Sequence, residues 1–316
     1  MKPFVFFTGI IAAVYLAVGS ILMRGTPKSP STVSRPSILG IAHVALRVKN
    51  AAEARNFFGY VLGFDELPLN ETVKGRMRYS YFKVNDGQYI LVSPTLSSPT
   101  EDRLIHIAYR TTDARGLRRY LASHGVTVPG ELRKDSEGDL SFSLQDPAGH
   151  TLEFIQYLPG SVESRNFGKL LSSKRVSSQI IHAGETVQDR TTADQFYRGI
   201  LGYRLMWYGG MTDARTDWVD MAVPDGGNWL EFMLNVHNPS PRLLGVMNHF
   251  SLGVKNVQPV FETVQARGYK ASKPQIGRDG KWQLNLYDPD LTRVEVMEFK
   301  PVEKPCCSPM LSLQLK

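Results

Sequence analysis

The chain has 316 residues, 42% hydrophobic and 21% charged, enough length and apolar content for two ordinary domains with buried cores. That excludes a disordered chain, a collagen-like repeat and a protein of many membrane spans. The net charge of +7 is scattered, with no basic run interleaved with aromatics, so nucleic acid is not an expected partner; the two cysteines, adjacent at Cys306 and Cys307, exclude a disulfide scaffold and a thiolate zinc site.

In chain order, the stretch from Pro3 to Met23 carries no charge and is about as long as a bilayer-crossing helix. It predicts a signal peptide or N-terminal membrane anchor over 1–24, with the globular part outside the cytoplasm. A Pro/Ser/Thr-rich linker follows over 25–36. Two copies of one domain are then expected, over 37–159 and 178–300. RNFFGYVLGF (Arg55 to Phe64) matches DQFYRGILGY (Asp194 to Tyr203) at an offset of 139, and LQDPAGHTLEF (Leu144 to Phe154) matches LYDPDLTRVEV (Leu286 to Val296) at 142. Residues 160–177, polar and basic, read as a linker, and 301–316 as a flexible tail.

Each copy divides again. IAHVALRV, IHIAYRTT, IIHAGETV and NHFSLGVK open four units as half-buried strands. An amphipathic helix closed by glycine follows each (Gly63, Gly125, Gly202 and Gly268), and short strands follow the helix. The pattern is β-α-β-β-β, used four times.

Of seven histidines, four open these units: His43, His106, His182 and His249. Alone, each is a satisfied core side chain more often than a ligand. A carboxylate on the closing strand of three units, Glu231, Glu153 and Glu295, changes that reading. Such a glutamate facing an apolar interior costs several kcal/mol unless it is paired or binds a cation. Imidazoles and carboxylates converging from symmetry-related units suit Ni, Zn, Fe, Mn or Co. Thr151, Glu153 and Ile155 share one strand face, as do Trp229, Glu231 and Met233. His124 reads as a helix C-terminal side chain, His150 as a solvated turn residue and His237 as a loop residue. Asp146 and Asp288, each before a proline, are turn formers. Trp207, Tyr208, Trp218 and Trp229 read mostly as core, with one or two walling an apolar pocket.

A histidine opening the first strand, F-[FY]-x-x-x-L-G-[FY] on the helix and D-P-x-x-x-x-x-E before the closing strand together resemble the vicinal oxygen chelate superfamily, the glyoxalase/bleomycin-resistance/extradiol-dioxygenase group. The likeness spans both copies. It implies an α+β fold of two tandem domains, each a pair of βαβββ units forming a curved mixed sheet around a divalent metal. Carried over residue by residue, His182, Glu231, His249 and Glu295 fill all four ligand positions of the second copy. The first copy offers His43, His106 and Glu153; its fourth position falls among Ile90, Leu91 and Val92, none of them acidic. Two histidines and one carboxylate are the set non-haem Fe(II) oxygenases use, or mark a site losing its metal.

The resemblance implies first a metal-dependent lyase or isomerase that moves a proton α to a carbonyl on a small hydroxy-carbonyl substrate, with Glu231 or Glu295 as base. The alternatives are an extradiol-type Fe(II) dioxygenase and a metal-free binding protein. Ring cleavage usually adds an acid/base histidine, and none lies between His43 and His106 or between His182 and His237, and a tyrosine near the closing strand, where this sequence has Ser143 and Asn285. Units pair within each copy, or between copies in a swapped arrangement; a monomer with pseudo-dimeric domains is the expected assembly.

Overall fold

The computed structural model describes residues 33–67, 79–135 and 137–311. The expected signal or anchor segment lies outside these residues. Among the described residues no helix is long and apolar enough to cross a membrane. The chain divides into Met1–Val33 and Ser34–Lys316, and the fold below belongs to the latter.

The first copy builds one sheet from β1 (Ile38–Arg47), β2 (Asp65–Glu66), β3 (Ser80–Asn85), β4 (Gln88–Ser93), β5 (Leu104–Thr111), β6 (Arg133–Lys134), β7 (Leu140–Gln145) and β8 (Thr151–Gln156). Helix α1 (Ala51–Arg55) follows β1, and α2 (Ala114–Ser123) follows β5. After α3 (Val162–Arg165) the second copy repeats the plan with β9 (Ile180–Thr186), α4 (Arg190–Asp194), β10 (Arg204–Gly209), β11 (Trp218–Ala222) and β12 (Trp229–Met233). It continues with α5 (Pro241–Met247), β13 (His249–Val254), α6 (Gln258–Ala266), β14 (Gln275–Ile276), β15 (Trp282–Tyr287) and β16 (Arg293–Glu298).

Strand order is β2-β3-β4-β1-β5-β8-β7-β6 in the first sheet and β10-β11-β12-β9-β13-β16-β15-β14 in the second. In every unit the first strand therefore lies parallel to the last, and the two first strands meet antiparallel at the centre. Both sheets are built wholly from one copy, so ligands gather within copies and no swap occurs. Apolar residues of the convex faces and the helices form one buried core, including Phe58, Phe82, Phe154, Tyr197, Phe232 and Phe250.

All four helix-closing glycines take positive φ, from +77° to +85°, as a left-handed C-terminal turn requires. The first helix of each copy departs from expectation by widening into a π-helical turn, Asn56–Val61 and Gln195–Ile200. The wider turn buries both members of the aromatic pair, Phe57 with Phe58 and Phe196 with Tyr197.

Two segments, the one read as a linker and the described part of the one read as a flexible tail, are held by side-chain and backbone hydrogen bonds. In 160–177, Ser161 caps α3, and the buried Lys83 ammonium donates to Asn166 O (2.5 Å), Lys169 O (2.9 Å) and Asp86 (2.6 Å). The tail runs beside β10 as far as Leu311: Trp207 Nε1 donates to Cys306 O, Tyr208 N to Ser308 Oγ and Leu311 N to Met206 O. The modules join through two equivalent amides. Asn228 accepts from Ile41 N (3.1 Å) and donates to Ile180 O (2.6 Å), while Gln88 accepts from Ile180 N and donates to Ile41 O and Ile180 O.

Candidate metal centres

Strand register explains how residues far apart in sequence converge. His43 on β1 pairs with Ala108 on β5, and Ala108 with Glu153 on β8, so all three face the same side. His106 stands two residues before Ala108 and shares that face. The second sheet repeats this with His182, Ser251 and Glu295 in register and His249 two residues before Ser251. Each set lies at the centre of its sheet's concave face.

In the first module the three donor atoms form a near-equilateral triangle. Nε2 of His43 and Nε2 of His106 are 2.8 Å apart, and Glu153 Oε2 is 3.3 Å from the first and 3.2 Å from the second. Donors at 90° around a metal with bonds of about 2.1 Å are separated by about 3.0 Å, so the triangle fits one face of a coordination octahedron. Burial would raise the Glu153 carboxyl, but hydrogen bonds and charge from His106 and His43 outweigh it and hold Glu153 well below its ordinary range. Burial pushes His43 down, against the pull of Glu153. An anionic carboxylate beside bare imidazole nitrogen is what a cation needs. Leu91, paired with Tyr81 across β3 and β4, occupies the register of Glu231 and leaves this module with three donors.

An aromatic wall adjoins this triangle. The ring of Tyr81 meets His43 edge-on at 5.9 Å and continues to Tyr79 and Tyr89. Tyr79 donates its hydroxyl to the buried Glu137. Burial, then Glu137 and Glu153, keep the Tyr81 phenol protonated well above its usual range.

The second module brings the same donors together with different company. His182 Nε2 is 3.2 Å from His249 Nε2 and 3.3 Å from Glu295, and Glu231 is 3.2 Å from His249 but 3.8 Å from His182. Arg293, two residues before Glu295 on the same strand face, places an Nη 2.7 Å from His249 Nε2 and another 3.9 Å from Glu295. Lys281 stands 4.6 Å over the Trp229 ring and 3.4 Å from Asp279. Burial raises Glu295 to about 7 and lifts Glu231, with Arg293 opposing both. Burial drives both His182 and His249 well below their usual range, and Arg293 adds to it.

A cavity of about 240 Å³ opens over this second set, lined by Trp207, Trp218 and Trp229 among others. Three of the aromatic residues read as mostly core are therefore wall. His150 is not a solvated turn residue: its Nε2 lies 2.7 Å from Thr186 O between the modules. Asp146 shapes its turn as expected, accepting from Ala148 N and His150 N. Sequence reading missed Arg293, Lys281, Tyr79 and Tyr81. Arg293 alone carried a usable signal, its strand-face relation to Glu295.

A family model described as Glyoxalase/Bleomycin resistance protein/Dioxygenase superfamily matches residues 40–154 and 179–296. Among curated protein sequences none matches this chain. Solved structures do. Homoprotocatechuate 2,3-dioxygenase from Brevibacterium fuscum, in complex with 3,4-dihydroxyphenylacetate, is similar with a TM-score of 0.61 at 18% identity, over 85% of this chain and 83% of that one. The 2,3-dioxygenase LapB from Pseudomonas sp. KL28 is similar with a TM-score of 0.63 at 15% identity, over 86% and 97%. A catechol 2,3-dioxygenase is similar with a TM-score of 0.64 at 16% identity, over 88% and 92%.

Proposed function

Since this chain belongs to the Glyoxalase/Bleomycin resistance protein/Dioxygenase superfamily, we propose that it is a divalent-metal enzyme whose centre is His43, His106 and Glu153, acting as an extradiol-type Fe(II) dioxygenase on catechol-like substrates. The observation that carries this reading is the donor triangle of 2.8, 3.2 and 3.3 Å, which no lysine or arginine among the described residues enters. Two of the solved structures named above are a homoprotocatechuate and a catechol 2,3-dioxygenase by name, which supports the choice of substrate class. The lyase reading rested on four ligands in the second module, and that set has Arg293 in it.

A bound Fe(II) supplies Lewis acidity and one-electron chemistry there. The protein's own part follows from its side chains. Without a metal, the 2.8 Å approach of two imidazole nitrogens is favourable only if one carries a proton, so this pair holds a proton that cation binding must displace. Tyr79, Tyr81 and Tyr89 offer ring faces and edges for an aromatic ring. Glu137 accepts the Tyr79 hydroxyl and so fixes one end of this aromatic wall. The protonated Tyr81 phenol donates toward a substrate oxygen.

The test loads the full chain with Fe(II) without oxygen, then adds 3,4-dihydroxyphenylacetate or catechol with O2. Expected are one O2 consumed per substrate and a ring-opened product heavier by both oxygen atoms, with loss of turnover in Glu153→Gln. Proton exchange α to a hydroxy-ketone in heavy water, with no oxygen uptake, would overturn this reading in favour of the lyase/isomerase.

A further inference from the structure

We propose that Arg293 stands in for the metal of the second module, so that His182, His249, Glu231 and Glu295 form a guanidinium-closed set and bind no divalent cation. For the count of metals per chain, this inference rests on the first-module centre proposed above.

Three observations carry it. The His249 ring has its Nδ1 2.8 Å from Met247 O, an acceptor, so Nδ1 bears the proton and Nε2 offers a lone pair. That lone pair, the one a metal would use, receives a hydrogen bond from Arg293 at 2.7 Å. A guanidinium cannot give up its charge to make room, because it stays protonated at any working pH. Second, His182 Nδ1 is buried with no hydrogen-bond partner. Metal held through Nε2 would force the proton onto that orphaned nitrogen, whereas a ligating histidine ordinarily donates its other N–H to an acceptor. With the proton on Nε2 instead, His182 donates toward Glu295 at 3.3 Å and leaves only a bare lone pair buried. Third, two cations already stand among the carboxylates: Arg293 neighbours Glu295, and Lys281 neighbours Asp279 and covers Trp229, beside Glu231 and Asp220.

The repeat supplies an internal control. The residue of β8 in the register of Arg293 is Thr151, which reaches neither histidine with a charge. Ring placement differs too. His249 lies so near its strand neighbour that a Cβ on Gly184 would sit 2.2 Å from His249 Cε1, while the first module has Ala45 opposite His106. Glycine here lets the ring settle into the position where Arg293 holds it.

All four tryptophans, Trp207, Trp218, Trp229 and Trp282, are in the second module, and the Trp229 ring centroid is 5.0 Å from that of His182. A paramagnetic ion in the second module therefore quenches tryptophan emission, while one in the first module quenches it far less. The experiment titrates the full chain with Co²⁺, reading bound metal by equilibrium dialysis and tryptophan emission in parallel. Wild type should bind one equivalent with little quenching, and Glu295→Gln should keep that equivalent. Arg293→Thr should gain a second equivalent accompanied by strong quenching. Two equivalents in wild type, or loss of metal from Glu295→Gln, would overturn the inference, as would a folded Arg293→Thr and Arg293→Gln that gain nothing. Should neither arginine variant fold, the wild-type count and its quenching still decide. No metal in wild type and one equivalent in Arg293→Thr would leave this inference standing and remove the first-module centre instead.

Discussion

Thr151→Arg should convert the first module into a copy of the second and expel its metal. Thr151 and Arg293 hold the same place on β8 and β16, each two residues before the closing glutamate. In the second module the guanidinium reaches 2.7 Å from the histidine nitrogen. A metal bonded to that nitrogen lies about 2.1 Å beyond it, so the two cations would be at most about 4.8 Å apart. With an effective dielectric constant near 20, one unit of repulsion at that distance is about 3.5 kcal/mol. Counting Glu153 as neutralising one metal charge leaves one unit, and 3.5 kcal/mol corresponds to about 300-fold weaker binding. The assay is Co²⁺ titration against a competing chelator, with circular dichroism as the check on folding. Thr151→Gln, which adds bulk without charge, should weaken binding far less. A folded Thr151→Arg that binds within threefold of wild type would refute the electrostatic argument and the role given to Arg293.

Two further predictions concern the join between the modules. Glu185, fully buried beside Tyr197 and His150, is raised to about 8 chiefly by burial, with Asp146 adding and His150 opposing. Because the folded state keeps this proton while the unfolded chain loses it near 4.5, the stabilisation is complete below about 4.5 and disappears as pH rises through 8. Urea midpoints at pH 6 and pH 9 should therefore converge in Glu185→Gln relative to wild type, and parallel falls in the two proteins would contradict the assignment. Asn228→Ala leaves Ile41 N–H without its acceptor, whereas Ile180 O keeps its bond from Gln88. One orphaned buried donor costs about 1–3 kcal/mol; an unchanged urea midpoint would show that this amide bridge does not hold the modules together.

Much of this molecule is legible in its sequence because duplication writes each solution twice. The four glycines that end helices, the four histidines that open units and the D-P turns recur at nearly fixed offsets, and local chemistry dictates each of them. Glycine alone takes the left-handed turn without strain, and alternation along a strand puts Glu153 on the same face as Thr151. What the sequence conceals is set by neighbours distant along the chain. The π-helical turns depend on how an aromatic pair fits the sheet beneath. The tail is placed by Met206, Trp207 and Tyr208 on β10, and the 160–177 segment by the ammonium of Lys83. His150 looked like a solvated turn residue because its partner, Thr186 O, belongs to the other module. Arg293 shows the limit most sharply. Its strand face follows from alternation, but whether a guanidinium on that face turns to solvent or to a histidine depends on ring positions no pattern encodes.

If only the first module binds metal, as proposed, a ligand set does not by itself decide occupancy. Both cups have two histidines and a glutamate in identical register, yet the electrostatics run in opposite directions. In the first, His106 and His43 hold the Glu153 carboxyl well below its ordinary range against burial, so a dication would meet an anion there. In the second, the additional carboxylate Glu231 would favour a cation, but Arg293 and Lys281 already provide the positive charge, covalently attached and at no entropic cost of association. A dication entering there would have to displace a guanidinium that has two partners. On this reading Glu231 belongs with Arg293 as a compensating pair. On the same reading the three-donor module, poorer by one ligand, is the better metal site because no lysine or arginine among the described residues stands between its donors.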